Sequence, residues 1–394
     1  MRIGLIAPPW LPVPPGSYGG TEQVVDDLAR GLTRLGHDVR LFSIGESTCP
    51  VPRAWYFEKA GEAIGTTVPE SAHVLAAYQD LADVDVIHDH TILGPLVAGR
   101  LSGLPPVVAT NHGPFSAESR LIYQETAKTA SIVAISHSQR ASAPEVPVAA
   151  VIHHGIDLAR HAYGDGDGDY LLFVGRMSPD KGVHHAIRVA RRAGRRLLVI
   201  SKMREHEERA YYEHEVRPLL GDDVELLDEI SATERIAVMR SATAVLNPIC
   251  WPEPFGLVMA EALACGTPVL AFPNGAAPEI VDDGKTGFLC TDESDMVNAL
   301  SRVGSIDRHA CRAAAEQRFD MARMASDHER LYERVCGTQL SLDPSTLPTP
   351  GRCSEQACAV PSDASIATAT SRSTYESGMA NFVVREWTPG PVSP

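Results

Sequence analysis

Long apolar runs are missing from this sequence. No stretch reaches the length of a membrane-crossing helix, and the apolar residues 3–7 are ended too soon by Pro8-Pro9 to serve as a signal peptide. A cytoplasmic chain is expected, with no segment that supports peripheral membrane association. Positive charge is also short. Lys and Arg number 35 against 50 Asp and Glu, a net charge of −15, which speaks against nucleic acid as a partner but leaves room for a local cationic pocket that holds phosphate. Cysteines are few and scattered. The eight, at positions 49, 250, 265, 290, 311, 336, 353 and 358, show neither metal-ligand spacing nor a disulfide framework, so free thiols are expected.

Two ligand motifs are missing as well. Gly-x-Gly-x-x-Gly does not follow the first strand pattern, where Pro8-Pro9-Trp10-Leu11-Pro12 stands instead, so a nicotinamide dinucleotide is not expected. The run Gly164-Asp165-Gly166-Asp167-Gly168-Asp169 has spaced aspartates, but Tyr170 and Arg176 stand where an EF-hand needs its Gly and its last Glu, so the run reads as a linker. His88 and His90, at i and i+2 on an extended segment, are expected to point to opposite faces, and Asp83-Val84-Asp85 reads as solvated charge at a strand's edge. No metal site is predicted.

What is present is a long alternation of short apolar runs with helical stripes. Strand patterns fall at 3–7, 39–42, 84–88, 106–110, 132–135 and 148–152, then at 170–174, 197–200, 224–227, 244–248, 269–272 and 288–289. Helical patterns at 21–36, 71–82, 93–101, 183–193, 205–219, 232–241, 296–303 and 321–335 lie among them. Such alternation predicts an α/β chain with doubly wound parallel sheets, and the length is enough for two cores. Ligands of such sheets collect at the carboxyl ends of the strands. There the sequence places His88-Asp89-His90, Asn111-His112-Gly113-Pro114 and His153-His154-Gly155-Ile156-Asp157.

Three further stretches carry the chemistry. In Gly16-Ser17-Tyr18-Gly19-Gly20 bare amides meet a helix N-terminus; the pair Gly19-Gly20 reads as a tight turn or as an anion cradle, and its place after the first strand favours the anion. Gly175-Arg176-Met177-Ser178-Pro179-Asp180-Lys181-Gly182 puts two cations at one strand end. They are either plain surface charge or a grip for a diphosphate, Arg176 through its planar fork and Lys181 as a point charge. Pro252-Glu253-Pro254-Phe255-Gly256-Leu257 runs into an apolar helix that Gly266 and Pro268 end, which predicts Pro254 in the first turn and Glu253 at the helix N-terminus. Glu261 then sits about two turns in, with no cation within a turn of it. A carboxylate so placed needs outside donors, either sugar hydroxyls or an ion-pair partner.

These stretches, with Gly266-Thr267-Pro268-Val269 and Pro278-Glu279-Ile280-Val281 after them, resemble the retaining GT-B glycosyltransferases of family 4, which carry Glu-x7-Glu at this place in the fold. The resemblance covers residues 1 to about 335. It implies a first Rossmann-like domain on the acceptor side over 1–163, a linker at 164–169, a second domain binding the nucleotide sugar over 170–318, a helix over 319–336 that crosses back, and a disordered tail from 337 to 394. The activity implied is transfer of a hexosyl group from a nucleotide-diphosphate sugar to an acceptor hydroxyl, with retention of configuration, no metal and no cofactor beyond the co-substrate. Arg176, Lys181 and the amides of Gly19 and Gly20 would neutralise the leaving diphosphate. Glu253, with the amides of Phe255, Gly256 and Leu257, would hold the donor sugar; Glu261 would grip the ribose, Ile230 the base, and His112 would orient sugar or acceptor. The family's Asn-Gly-[Ile/Val]-Asp appears here with His154 in the Asn position. The acceptor, a sugar, a metabolite or a lipid-linked group, would meet the loops at 8–18 and 48–68. Alternatives are a GT-B epimerase and a silent nucleotide-sugar-binding protein; a phosphorylase would need a lysine-bound pyridoxal group, for which no obvious site is present.

Overall fold

The structure is a computed structural model that describes residues 1–61 and 65–340. Among these residues thirteen strands form two sheets, every pairing parallel. The first sheet holds β1 (Arg2–Ile6), β2 (Asp38–Ser43), β3 (Arg53–Trp55), β4 (Val86–Asp89), β5 (Val107–Thr110), β6 (Ser131–Ala134) and β7 (Val148–Val151), in the spatial order β3-β2-β1-β4-β5-β6-β7. The second holds β8 (Tyr170–Arg176), β9 (Arg196–Lys202), β10 (Val224–Leu227), β11 (Ala244–Asn247), β12 (Val269–Ala271) and β13 (Gly287–Leu289), in the order β10-β9-β8-β11-β12-β13. Each order reverses once, between β1 and β4 and between β8 and β11. The carboxyl ends of those four strands are the places where a doubly wound sheet opens a crevice.

Strands buried on both faces read as continuous apolar runs, which is why most were visible in the sequence. The central strands here are of that kind: Ile3, Leu5 and Ile6 of β1, and Leu171, Leu172 and Phe173 of β8, are fully or almost fully buried. Short edge strand β3, inside the 48–68 segment expected to be irregular, lacks such a run and was not anticipated. Neither were the helices Ala117–Thr126, His137–Ser142, Ala277–Ile280 and Arg308–Arg318. The helix expected over 205–219 is instead His206–Tyr211 followed by a wide turn at Tyr212–Val216 and a tight one at Arg217–Leu219. Pro218 supplies no amide to a regular helix, and the change of pitch absorbs that loss.

The two halves are joined twice. The chain passes from β7 to β8 through residues 152–169, and it returns at 319–321, where the Ile156 amide donates to the Phe319 carbonyl at 2.8 Å and the Met321 amide to the Ile156 carbonyl at 3.0 Å. The Gly-Asp run lies against the second half: the Gly164 amide donates to the Cys265 carbonyl at 3.1 Å and the Gly168 amide to the Ser241 carbonyl at 2.8 Å. The last helix, Met321–Leu340, extends past the expected end at 335. It packs on the helix Gly20–Arg34, and its Met324, Ala325, Leu331 and Tyr332 complete the first half's core with Val24, Val25, Leu28 and Leu32. The tail expected to be disordered, with its 381–387 segment and Cys353 and Cys358, falls outside the described residues from 341 on.

Candidate active site

The second half builds its wall from two loops. The first leaves β8 and runs through Arg176 to Gly182, whose left-handed backbone (φ 76°) passes so close to Pro248 that a Cβ would lie 2.1 Å from its carbonyl oxygen. The second leaves β11, and the Cys250 amide donates to the Asp180 carbonyl at 2.8 Å, which ties the loops together. This contact brings the Lys181 ammonium onto the Glu253 carboxylate as a direct ion pair, with both side chains mostly buried. Arg176 donates to Asp180 at 2.9 Å. Glu253 is also held from behind. Gly275 (φ 59°) packs so tightly on it that a Cβ there would sit 2.2 Å from the Glu253 carbonyl oxygen and 2.3 Å from its amide nitrogen. Gly275→Ala is therefore expected to destabilise the chain by about 1–3 kcal/mol and to lower turnover by moving Glu253. Denaturant midpoints and steady-state rates on the same preparation check both.

The helix that follows begins later than the sequence suggested. It spans Leu257–Ala264, with Gly256 at its N-cap in the left-handed region (φ 102°). Pro254 is thus outside the helix, and Glu253 lies in the loop four residues before the first turn. The correction has a physical basis: Gly256 is the one residue of the stretch that takes a positive φ without strain, so the chain turns there and not at Pro254. Glu261 does sit in an apolar helix, 5% exposed. Its Oε1 accepts from Arg235 of the helix Ala232–Ser241 at 3.1 Å, so an ion-pair partner comes from elsewhere in the chain, while buried Oε2 has no partner among the described residues.

A cavity of about 500 Å³ between the halves is lined by Arg176, Lys181, Glu253, Phe255, Gly256, Leu257 and Glu261 on one side and by Gly19, Gly20 and His112 on the other. That volume suits a cofactor-sized ligand. Leu257 packs on the cores of both halves, and a Cβ on Gly20 would be 3.4 Å from its Cδ1, so the glycine loop faces the start of the second half's helix directly. Ile230 is not brought in. It is half-buried against the second half's core, and Arg235, one turn into the following helix, lines the cavity instead. Lys202, at the end of β9, is 8% exposed and paired with Glu205 and Glu208.

Two models of known families divide the chain between them, "Glycosyltransferase Family 4" over residues 18–160 and "Glycosyl transferases group 1" over residues 160–318. A phosphatidyl-myo-inositol mannosyltransferase of Mycolicibacterium smegmatis is 27% identical over 88% of this chain and 97% of its own length. A glycogen synthase of Mycobacterium tuberculosis is 27% identical over 79% of this chain and 73% of its own. The solved structure of a glycosyltransferase involved in avilamycin A biosynthesis superposes with a TM-score of 0.64 at 28% identity, covering 85% of this chain and 98% of that one. The chain belongs to the family 4 glycosyltransferases of GT-B fold.

In this glycosyltransferase the first half contributes histidines in a way the sequence reading misjudged. His88 and His90 were expected on opposite faces, yet their ring centres are 4.1 Å apart. β4 ends at Asp89, so His90 has already left the strand and the two-residue alternation no longer applies to it. His90 Nδ1 lies 2.8 Å from His112 Nε2, and the His112 ring stacks on His154 at 5.1 Å. His88 bonds Tyr332 of the last helix through Nδ1 and Thr110 through Nε2, each at 2.7 Å, and stands 5.0 Å from the ring of His328. Burial pushes the pKa of His112 down to about 3, with His328 adding to the effect, and that of His328 down to about 4. The cluster is neutral at ordinary pH.

Among the described residues one group brings possible metal ligands together: atoms of His137, His153 and Glu279 lie within 4.8 Å of one another. Glu279 is already taken there. Its Oε2 accepts from the His137 amide at 2.9 Å and lies 2.7 Å from His153 Nε2, and its Oε1 accepts from the Ser138 amide at 2.7 Å. The group therefore works as a hydrogen-bonded tie between the halves of the glycosyltransferase. Cavity residues that the sequence did not single out are Glu22, Trp251 and Arg235, together with His154, which was given no role of its own.

Proposed function

We propose that the chain moves a hexosyl group from a nucleotide-diphosphate sugar to an acceptor hydroxyl with retention of anomeric configuration. The observation that carries this is the meeting of Arg176, Lys181, Glu253 and Glu261 with the Gly19–Gly20 loop in one interdomain cavity. Two of the relatives are transferases by name and the third is a glycogen synthase, and nothing in the cavity favours epimerisation over transfer.

As the anomeric carbon leaves, negative charge grows on the diphosphate. Arg176, Lys181 and the amides at Gly19–Gly20 neutralise it, so the chain's own cations fill the place that a metal takes in other transferases. Lys181 and Glu253 pair with each other in the structure; with donor bound, Lys181 turns to phosphate oxygens and Glu253 accepts from sugar hydroxyls, while the amides of Phe255, Gly256 and Leu257 donate to the sugar. The free Oε2 of Glu261 suits a ribose hydroxyl. Retention places the attacking hydroxyl on the face that the diphosphate leaves, and His112, neutral and half-buried, orients sugar or acceptor. The acceptor is assigned by class only: a sugar, a metabolite or a lipid-linked hydroxyl. Domain closure around both substrates would complete the site.

A panel of UDP- and GDP-sugars tests the donor assignment. A binder at a hundred times its Kd is expected to stabilise the fold by about 2.7 kcal/mol, read as a rise in Tm. A panel with no shift would remove the nucleotide-sugar reading.

A further inference from the structure

Glu22 has no place in the reaction described above, and its position is unusual. It lies in the first turn of the helix Gly20–Arg34, is 5% exposed, and lines the same cavity. A Cβ on Gly19 would come within 3.0 Å of its Oε2, so the carboxyl rests directly against the glycine loop. Among the described residues no side chain or amide of another residue hydrogen-bonds it. Its carboxyl and a diphosphate drawn to the loop would therefore share one desolvated corner. Two anions cannot both stay charged there, because a like charge at close range disfavours ionisation.

We propose that Glu22 binds the nucleotide as the neutral acid, donating its proton in a hydrogen bond to a diphosphate oxygen over Gly19–Gly20, so that the chain takes up one proton from solvent with each nucleotide bound. The inference rests on the donor-site reading above. Burial already holds the free carboxyl at about 7, offset only by its own amide. None of the other charged groups around the cavity pairs with Glu22 among the described residues, and Arg176 and Lys181 answer to the diphosphate once it binds. Arg176, Lys181 and Arg235 are paired with Asp180, Glu253 and Glu261, while His112 and His154 are kept neutral by burial. Asp26, one turn along the helix, is occupied by Arg30 and Arg160.

Isothermal titration of the full chain with UDP-glucose and with GDP-mannose, near pH 8 and in buffers of different ionisation enthalpy, counts the protons. Uptake approaching one proton per nucleotide is expected for the unaltered chain and close to none for Glu22→Gln, with affinity near pH 7 kept within about tenfold. If Glu22→Gln does not fold, the unaltered chain alone decides: its affinity should fall by up to about tenfold per pH unit above 7. Binding without proton uptake, or with the same uptake in Glu22→Gln, overturns the role of Glu22 and leaves the donor site standing. No binding of either probe overturns the donor site, and this inference with it.

Discussion

Lys181→Ala is expected to lower kcat by on the order of a hundredfold or more, measured at saturating donor. The ammonium sits at the carboxyl end of β8 beside the sheet's switch point, shares the cavity with Arg176, and is only 16% exposed at its side chain. A cation held there acts on charge that appears as the diphosphate departs, so its loss falls on turnover more than on donor binding. The same substitution leaves Glu253 mostly buried without its partner, which costs stability by itself. Lys181→Ala combined with Glu253→Gln separates the effects: the double variant is expected to regain melting temperature lost by Lys181→Ala while staying as inactive or more so. Near-normal kcat in Lys181→Ala would show that charge on the leaving group is handled elsewhere.

Much of this architecture was legible because its physics is local. Doubly buried strands announce themselves as apolar runs, and the resemblance to family 4 set the cations 176 and 181 and the carboxylates 253 and 261 in one crevice. What escaped notice depends on contacts between distant segments. Glu261 looked free of cations because Arg235 approaches it from another helix. The helix start moved to Leu257 because the backbone turns at Gly256, a φ that composition does not reveal. His90 was assigned the wrong side because the strand stops one residue before it. Glu22 reads in sequence as an ordinary acid in a first helical turn, where it favours the dipole; only burial against Gly19 makes it exceptional. Ile230 was placed by resemblance, and the cavity passes it by.

The buried histidines predict a loss of stability in mild acid. In the unfolded chain a histidine titrates near 6.5. In the folded chain burial takes His112 to about 3 and His328 and His73 to about 4, and moves His88, His90 and His154 well below the usual range. Between those limits the unfolded state binds more protons, so stability falls as pH drops through 6.5 toward 4, by about 1.4 kcal/mol per pH unit for each histidine not offset. Three carboxyls pull the other way. Burial raises Glu22 and Asp27 to about 7 and Asp89 to about 6, so between their unfolded and folded values the folded state binds more protons and gains as pH falls. The six histidines outnumber them, and below about pH 4 the carboxyls are protonated in both states and give no further help. Tm is therefore expected to fall steeply between pH 6.5 and 4.5. His328→Leu removes one titrating group whose Nδ1 bonds the Met324 carbonyl within the last helix and whose buried Nε2 has no partner among the described residues. That variant is expected to flatten the slope by up to one proton, read from denaturant unfolding across the same range. A slope unchanged by His328→Leu would mean that the cluster, which joins β4 to the last helix through His88 and Tyr332, is not what makes the fold acid-sensitive.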